Sequence, residues 1–126
     1  MESISVIIMA FNETRNLEAV VREVDSTLSE LGQQYEVVIV DDGSSDGTDR
    51  IADRLAKEFT QVRVIHHGVN QGLGGVYRTG FGQAQNNLIT FFPADGQFPA
   101  TIIKQFVPLM DDADMVLGYL TREQTV

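Results

Sequence analysis

The stretch Tyr35–Asp49, YEVVIVDDGSSDGTD, is an aliphatic run that stops abruptly at two carboxylates and a glycine-rich polar turn. Val37, Val38, Ile39 and Val40 are consecutive and all β-branched, the pattern of a strand covered on both faces, as in a parallel sheet. Ligands of open α/β sheets bind beyond the carboxyl ends of the strands, so Asp41, Asp42 and Gly43 fall where a small polar ligand would be held. The plainer alternative is that two aspartates merely begin a solvated turn.

Upstream, Ile4–Met9 (ISVIIM) reads as a first buried strand, with Ala10–Glu13 as the turn after it. From Thr14 the period changes. Leu17, Val20, Val21, Val24, Leu28 and Leu31 recur at helical spacing, and Gly32 closes the helix. Downstream, Ser44, Ser45, Asp46 and Thr48 are candidate caps for a second helix lined by Ile51, Leu55 and Phe59. Val62–His66 is a third strand. The loop Gly68–Gly75 (GVNQGLGG), with four glycines in eight residues, points to backbone approaching something closely, and it leads into a short helix.

Leu88–Phe92 (LITFF) is a fourth strand, ending at Pro93-Ala94-Asp95-Gly96-Gln97, a second acidic edge built like the first. Pro99 suits the first turn of a helix running to about Met110, and Met115–Leu117 reads as a fifth strand. This alternation predicts one α/β domain over residues 1–126, a Rossmann-like, doubly wound, mainly parallel sheet in three α/β/α layers. Right-handed crossovers bring all strand carboxyl ends to one rim, carrying Phe11, Glu13, Asp41, Asp42, the glycine loop, Asp95 and Gln97.

Bulk composition narrows the function. The 126 residues are 43% hydrophobic and 21% charged, ordinary for a single globular domain. Eighteen acidic against nine basic residues give a formal charge of −9, which argues against nucleic acid and against general attraction to an anionic membrane. Any anionic ligand then needs a local arginine, a helix N-terminus or a bridging cation. The absence of cysteine excludes disulfides and thiolate metal sites and is compatible with a cytoplasmic location. No apolar run approaches about 20 residues.

Several chemistries fail on spacing. A dinucleotide-binding turn requires G-x-G-x-x-G after strand one, where this chain has AFNE, and no Walker-type loop is present. Asp42, Ser44, Asp46 and Gly47 imitate the opening of an EF-hand, but they follow a strand and meet Asp53 where a glutamate is needed. A phosphoacceptor receiver domain needs acids and a lysine at other strand ends. His66 and His67 are adjacent on an extended segment and point to opposite faces, so capping or solvent exposure is expected of them rather than a shared metal. Ser44 and Ser45 have no histidine base nearby and read as turn residues.

The remaining pattern suits a nucleotide diphosphate held through Mg²⁺ or Mn²⁺, which commonly takes one or two carboxylates plus phosphate oxygens. Asp95 with Gln97 would supply the protein ligands. Asp42 would accept hydrogen bonds from a base edge or ribose, and Phe11 would pack on the base or sugar.

Four segments carry a resemblance: Ile7–Glu13 (IIMAFNE), Tyr35–Thr48, Asn70–Phe81 (NQGLGGVYRTGF) and Phe91–Phe98 (FFPADGQF). In order and spacing they resemble family 2 glycosyltransferases of the GT-A fold, especially those that transfer sugars to polyprenyl phosphates. The resemblance implies that Phe11, Glu13, Val40 and Asp42 surround the nucleoside. It further implies that Gly74, Arg78, Ala94 and Asp95 complete the nucleotide-sugar contacts and that Asp95 and Gln97 bind the metal. It assigns no catalytic residue. The implied partners are a UDP- or GDP-type sugar and a lipid phosphate, with metal-assisted inverting transfer as the reaction and a homo-oligomer compatible with it. Two departures stand out: the first turn lacks the family's proline, and Pro93 replaces the first acid of the D-x-D metal motif, which points to weaker metal binding. Members of the family continue into an acceptor-binding half, so the chain reads as the nucleotide-sugar half alone, with membrane contact, at the cytoplasmic face, only through segments beyond it. A non-catalytic nucleotide-binding or interaction domain is the alternative.

Overall fold

A computed structural model describes residues 3–115. Four strands, β1 (Ile4–Ala10), β2 (Tyr35–Asp41), β3 (Val62–His66) and β4 (Leu88–Pro93), form one parallel sheet in the order β3-β2-β1-β4. Helices α1 (Leu17–Leu31), α2 (Thr48–Glu58) and α3 (Gly72–Gln83) make the crossovers, and the short α4 (Ile102–Phe106) follows β4. Val37–Val40 are fully buried in β2, one of the two central strands, which accounts for the unbroken β-branched run.

Strand periodicity divides the core in two. Ile4, Val6 and Ile8 of β1 and Val37 and Ile39 of β2 pack with Leu17, Val21, Val24 and Leu28 of α1, Leu55 of α2 and Ile103 of α4. The alternate residues Ile7, Val38 and Val40 face the other side, where Val76 of α3 covers them. The described residues are therefore three-layered, with α3 the one helix among them that closes the second face over β1 and β2. Gly80 lets it sit there: a methyl group at that position would lie 2.6 Å from Phe91 Cε1 and 3.1 Å from Ile7 Cγ2.

The chain winds outward from β1 through β2 to β3, then α3 returns it to β4 on the opposite side of β1. The strand order reverses between β1 and β4, and a crevice opens at the carboxyl ends of these strands.

One expectation is corrected. The single helix predicted from Pro99 to about Met110 is instead α4 followed by a 3₁₀ segment, Val107–Asp112. Pro108 is the reason, since it has no N–H to donate and its ring opposes the carbonyl four residues earlier, on Lys104. The strand predicted at Met115–Leu117 lies, apart from Met115, outside the described residues. Among the described residues no helix is long and apolar enough to cross a membrane.

If α3 is seated by close approach at Gly80, Gly80→Ala overpacks the contact with Phe91 and Ile7 and lowers stability by about 1–3 kcal/mol. Urea unfolding of the two proteins measures this, and equal midpoints would show that α3 is held elsewhere.

Candidate functional site

The crevice at the end of β1 is a cleft of about 340 Å³. Its walls come from three strand ends and one loop: Met9, Ala10, Phe11 and Glu13 after β1, Asp42 after β2, Pro93, Ala94 and Asp95 after β4, and Asn70, Gly72, Leu73 and Val76 from the segment leading into α3.

The first wall is shaped by Asn12, whose φ of 53° makes it the one non-glycine residue among those described with a left-handed backbone. Its amide donates to Ser44 Oγ (3.0 Å) and its Oδ1 accepts from Ser45 N (2.9 Å). The next amide, of Glu13, donates to Thr48 Oγ1 (2.9 Å). These reciprocal bonds clamp the β1 turn to the β2 turn and compensate the unfavourable dihedral, leaving Phe11 half-exposed at the cleft. Ser44 and Ser45 are thus turn residues, as their sequence context predicts. Asp46 accepts from the Thr48 amide (3.0 Å) and hydroxyl (2.5 Å), so the EF-hand-like spacing builds a helix start.

The second wall is organised by Asp42, which is 4% exposed. Its Oδ1 accepts from Gln71 N (2.8 Å) and lies 2.7 Å from His67 Nδ1, and its Oδ2 accepts from Gly72 N (3.0 Å). Asp42 is therefore an internal anion at the N-terminus of α3, complementing its positive dipole end. Burial pushes the carboxyl pKa up, but the His67 ring and the two amides outweigh it and hold the group below its usual range. Asn70 Nδ2 adds a bond to the Asp42 carbonyl (3.0 Å).

The glycine loop does run close to another backbone, but the glycine that permits it is Gly43. With φ at +75°, a side chain there would place its Cβ 2.6 Å from Asn70 N, whereas Gly68, Gly72 and Gly74 have open space around them.

The adjacent acid has a different role. Asp41 is turned away from the cleft, accepting from Ser44 N (3.2 Å) and pairing with His66 Nδ1 (2.9 Å), while His66 Nε2 reaches Asp53 (2.7 Å). The two histidines do diverge, as expected for extended backbone. The expectation of capping or exposure does not hold for His67, which is buried between Asp42 and Thr79 Oγ1 (2.7 Å).

Of the residues singled out from sequence, Phe11, Glu13, Asp42, Ala94 and Asp95 share the cleft. Val40 lies beneath it in the second core, and Gly74, Arg78 and Gln97 are exposed and off its walls. Gln97 acts through its backbone, its amide donating to Asp95 Oδ1 (3.0 Å). The glycine loop expected at the rim contributes Asn70, Gly72 and Leu73, but the sequence by itself assigns no individual role to Asn70 or Leu73, places Val76 only on the following helix, and does not connect His67 with Asp42. The signal that could have found Asn70 is its place just before the glycines.

Among the described residues three carboxylates and no lysine or arginine line the cleft. Among the described residues no three acidic, histidine or cysteine side chains converge to cage a metal. The carboxylate oxygens of the wall are hard ligands of the kind that a divalent cation shares with phosphate oxygens.

The four-stranded parallel sheet with helices on both faces is an α/β fold, and the solved structures on which it superposes are glycosyltransferases of the GT-A fold. The model of the glycosyl transferase family 2 matches residues 5–125, and the chain belongs to that family. It is 32% identical over 119 residues to undecaprenyl-phosphate 4-deoxy-4-formamido-L-arabinose transferase of Klebsiella pneumoniae, covering 94% of this chain and 36% of that one. It is 33% identical over 116 residues to dolichol-phosphate mannosyltransferase of Pyrococcus furiosus, covering 91% and 32%. The chain thus spans about a third of the length of these relatives. Among solved structures, mannosyltransferase PcManGT from Pyrobaculum calidifontis, in complex with GDP-Man and Mn²⁺, superposes with a TM-score of 0.67 at 22% identity, covering 75% of this chain and 28% of that one. TarS 1–349 of S. aureus in complex with UDP superposes with a TM-score of 0.65 at 23% identity, covering 87% and 32%.

The site's charges set a pH window for stability. Asp42 is held low, as is Glu36, where burial opposes but bonds from Ser5, Gln85 and Arg63 prevail. Their stabilisation is present above about pH 4 and is lost as pH falls through the depressed folded values. His66 is raised by its bond to Asp41, against burial and with help from Asp53, so its contribution is present below about pH 6.5 and is lost as pH rises through the raised value. Denaturant midpoints should accordingly be highest between about pH 4.5 and 6.5, and His66→Asn should flatten the alkaline side alone.

Proposed function

We propose that this chain forms the nucleotide-sugar-binding part of a glycosyltransferase that passes a sugar from a UDP- or GDP-type donor to a polyprenyl phosphate. The observation that carries this reading is the convergence of Phe11, Asp42 and Asp95, from three separate strand ends, on one cleft. Phe11 offers an aromatic face for the base or ribose, and Asp42 Oδ2, with one internal partner, retains acceptor capacity for a base imide or ribose hydroxyl. Glu13 and Asn70 border the same space. The names of the relatives, which carry undecaprenyl phosphate and dolichol phosphate, support a polyprenyl phosphate as the acceptor, and in this reading the reaction takes place at the cytoplasmic face of a membrane.

Among the described residues the cleft has no lysine or arginine, and the α3 N-terminus is already taken by Asp42. A diphosphate therefore meets only negative charge from the protein. A bound Mg²⁺ or Mn²⁺ would neutralise the diphosphate as it departs, and Asp95 would hold that ion, its Oδ1 oriented by the Gln97 amide. An acceptor phosphate is already anionic and needs no general base. Its oxygen attacks the anomeric carbon as the bond to the nucleotide diphosphate breaks, with inversion.

Pro93, which stands where the family has its first metal-binding acid, favours a second reading, a nucleotide-binding domain without turnover. Calorimetry separates these possibilities. UDP or GDP should bind in Mn²⁺ and lose about tenfold or more in affinity with EDTA or in Asp95→Ala. Equal binding in all three conditions would remove the cation from the reading, and binding without sugar transfer to a polyprenyl phosphate would favour the non-catalytic domain.

A further inference from the structure

We propose that His67 is a positioning residue for the nucleotide cleft, its buried ring fixing the Asp42 carboxylate and tying it to the middle of α3 through Thr79. The proposal rests on the reading that Asp42 faces the nucleoside. It adds a residue that lies off the cleft walls.

The ring is 8% exposed and both of its nitrogens are engaged, Nδ1 with Asp42 Oδ1 and Nε2 with Thr79 Oγ1, each at 2.7 Å. Asp42 carries no proton to share, so Nδ1 must bear the hydrogen. In the neutral ring Nε2 then accepts from the Thr79 hydroxyl. The ring itself is held from behind, because His67 N donates to the Asp41 carbonyl (2.9 Å) at the end of β2.

The geometry gives each bond a distinct task. The amides of Gln71 and Gly72 approach Asp42 from the first turn of α3 and neutralise it. His67 approaches from β3 and takes up the remaining capacity of Oδ1, leaving Oδ2 as the oxygen with a site to spare. Without the ring, both oxygens compete for the same two amides and the carboxylate is free to roll. Thr79 couples this orientation to the seating of α3, one residue before Gly80.

Volume and hydrogen bonding can be separated by substitution. His67→Asn carries an amide N–H on the same Cγ that bears Nδ1, whereas His67→Gln reaches toward Nε2 and His67→Phe fills the space with no donor. In calorimetry with UDP and GDP in Mn²⁺, His67→Asn should stay within about threefold of the native affinity, while His67→Phe and His67→Gln should weaken binding about tenfold or more. Native affinity in His67→Phe would overturn the proposal. Native protein that binds neither nucleotide would instead overturn the nucleotide reading on which it rests.

Ring nitrogen NMR of the unsubstituted chain adds a readout independent of variant folding. It should show a protonated Nδ1, with Thr79→Val disturbing only Nε2. A ring lacking the Nδ1 proton cannot hold Asp42 and would also overturn the proposal.

Discussion

The structure depends on one buried carboxylate finding its donors. Placing Asp42 against the core costs several kcal/mol unless it is fully hydrogen-bonded, and all of its side-chain partners come from later in the chain, the end of β3 and the start of α3. The folded state therefore requires β2, β3 and α3 to be in register together. The same requirement sets the position of α3, which covers the second face of β1 and β2. The acid lies at the cleft because the interactions that satisfy it also build the cleft wall.

A second carboxylate on the same strand does the corresponding work at the opposite rim. Glu36 accepts from Ser5 Oγ (2.6 Å), Arg63 Nε (2.9 Å) and Gln85 N (2.7 Å), the last just beyond the end of α3. Asn86 then bonds back to Ser5 Oγ and to the Ile4 carbonyl. Two acids on β2 thus bracket the helix, one at each end. The chain uses both for internal order, whereas Glu13 and Asp95, the other carboxylates of the cleft wall, each accept only from a residue close in sequence, Asn16 and Gln97.

Strand and helix order was legible because burial on two faces leaves a mark in composition. The run Val37–Val40 could belong only to a covered strand, and the spacing from Leu17 to Leu28 only to a helix with one apolar side. The extent of the last helix was less legible, because Pro108 imposes a tighter turn within an otherwise helical pattern. The candidate site was legible in its strand-end acids and first-turn aromatic. It was not legible where neighbours share a chemistry. Asp41 and Asp42 are indistinguishable as letters, yet alternation of the backbone sends one to His66 and the other to the cleft.

From the sequence alone follow the alternating α/β order, the polar rim at the strand ends, the lack of any general attraction for polyanions and a set of motifs shared with sugar transferases. These depend on periodicity and composition, which are local properties. Tertiary structure alone decided that β4 pairs with β1 and so places Asp95 opposite Asp42. It also decided that Gly43 rather than the glycine loop makes room for the close approach, and that His67 is buried. Each of these is a contact between segments far apart in the chain, whose energy exists only once the sheet order has brought them together.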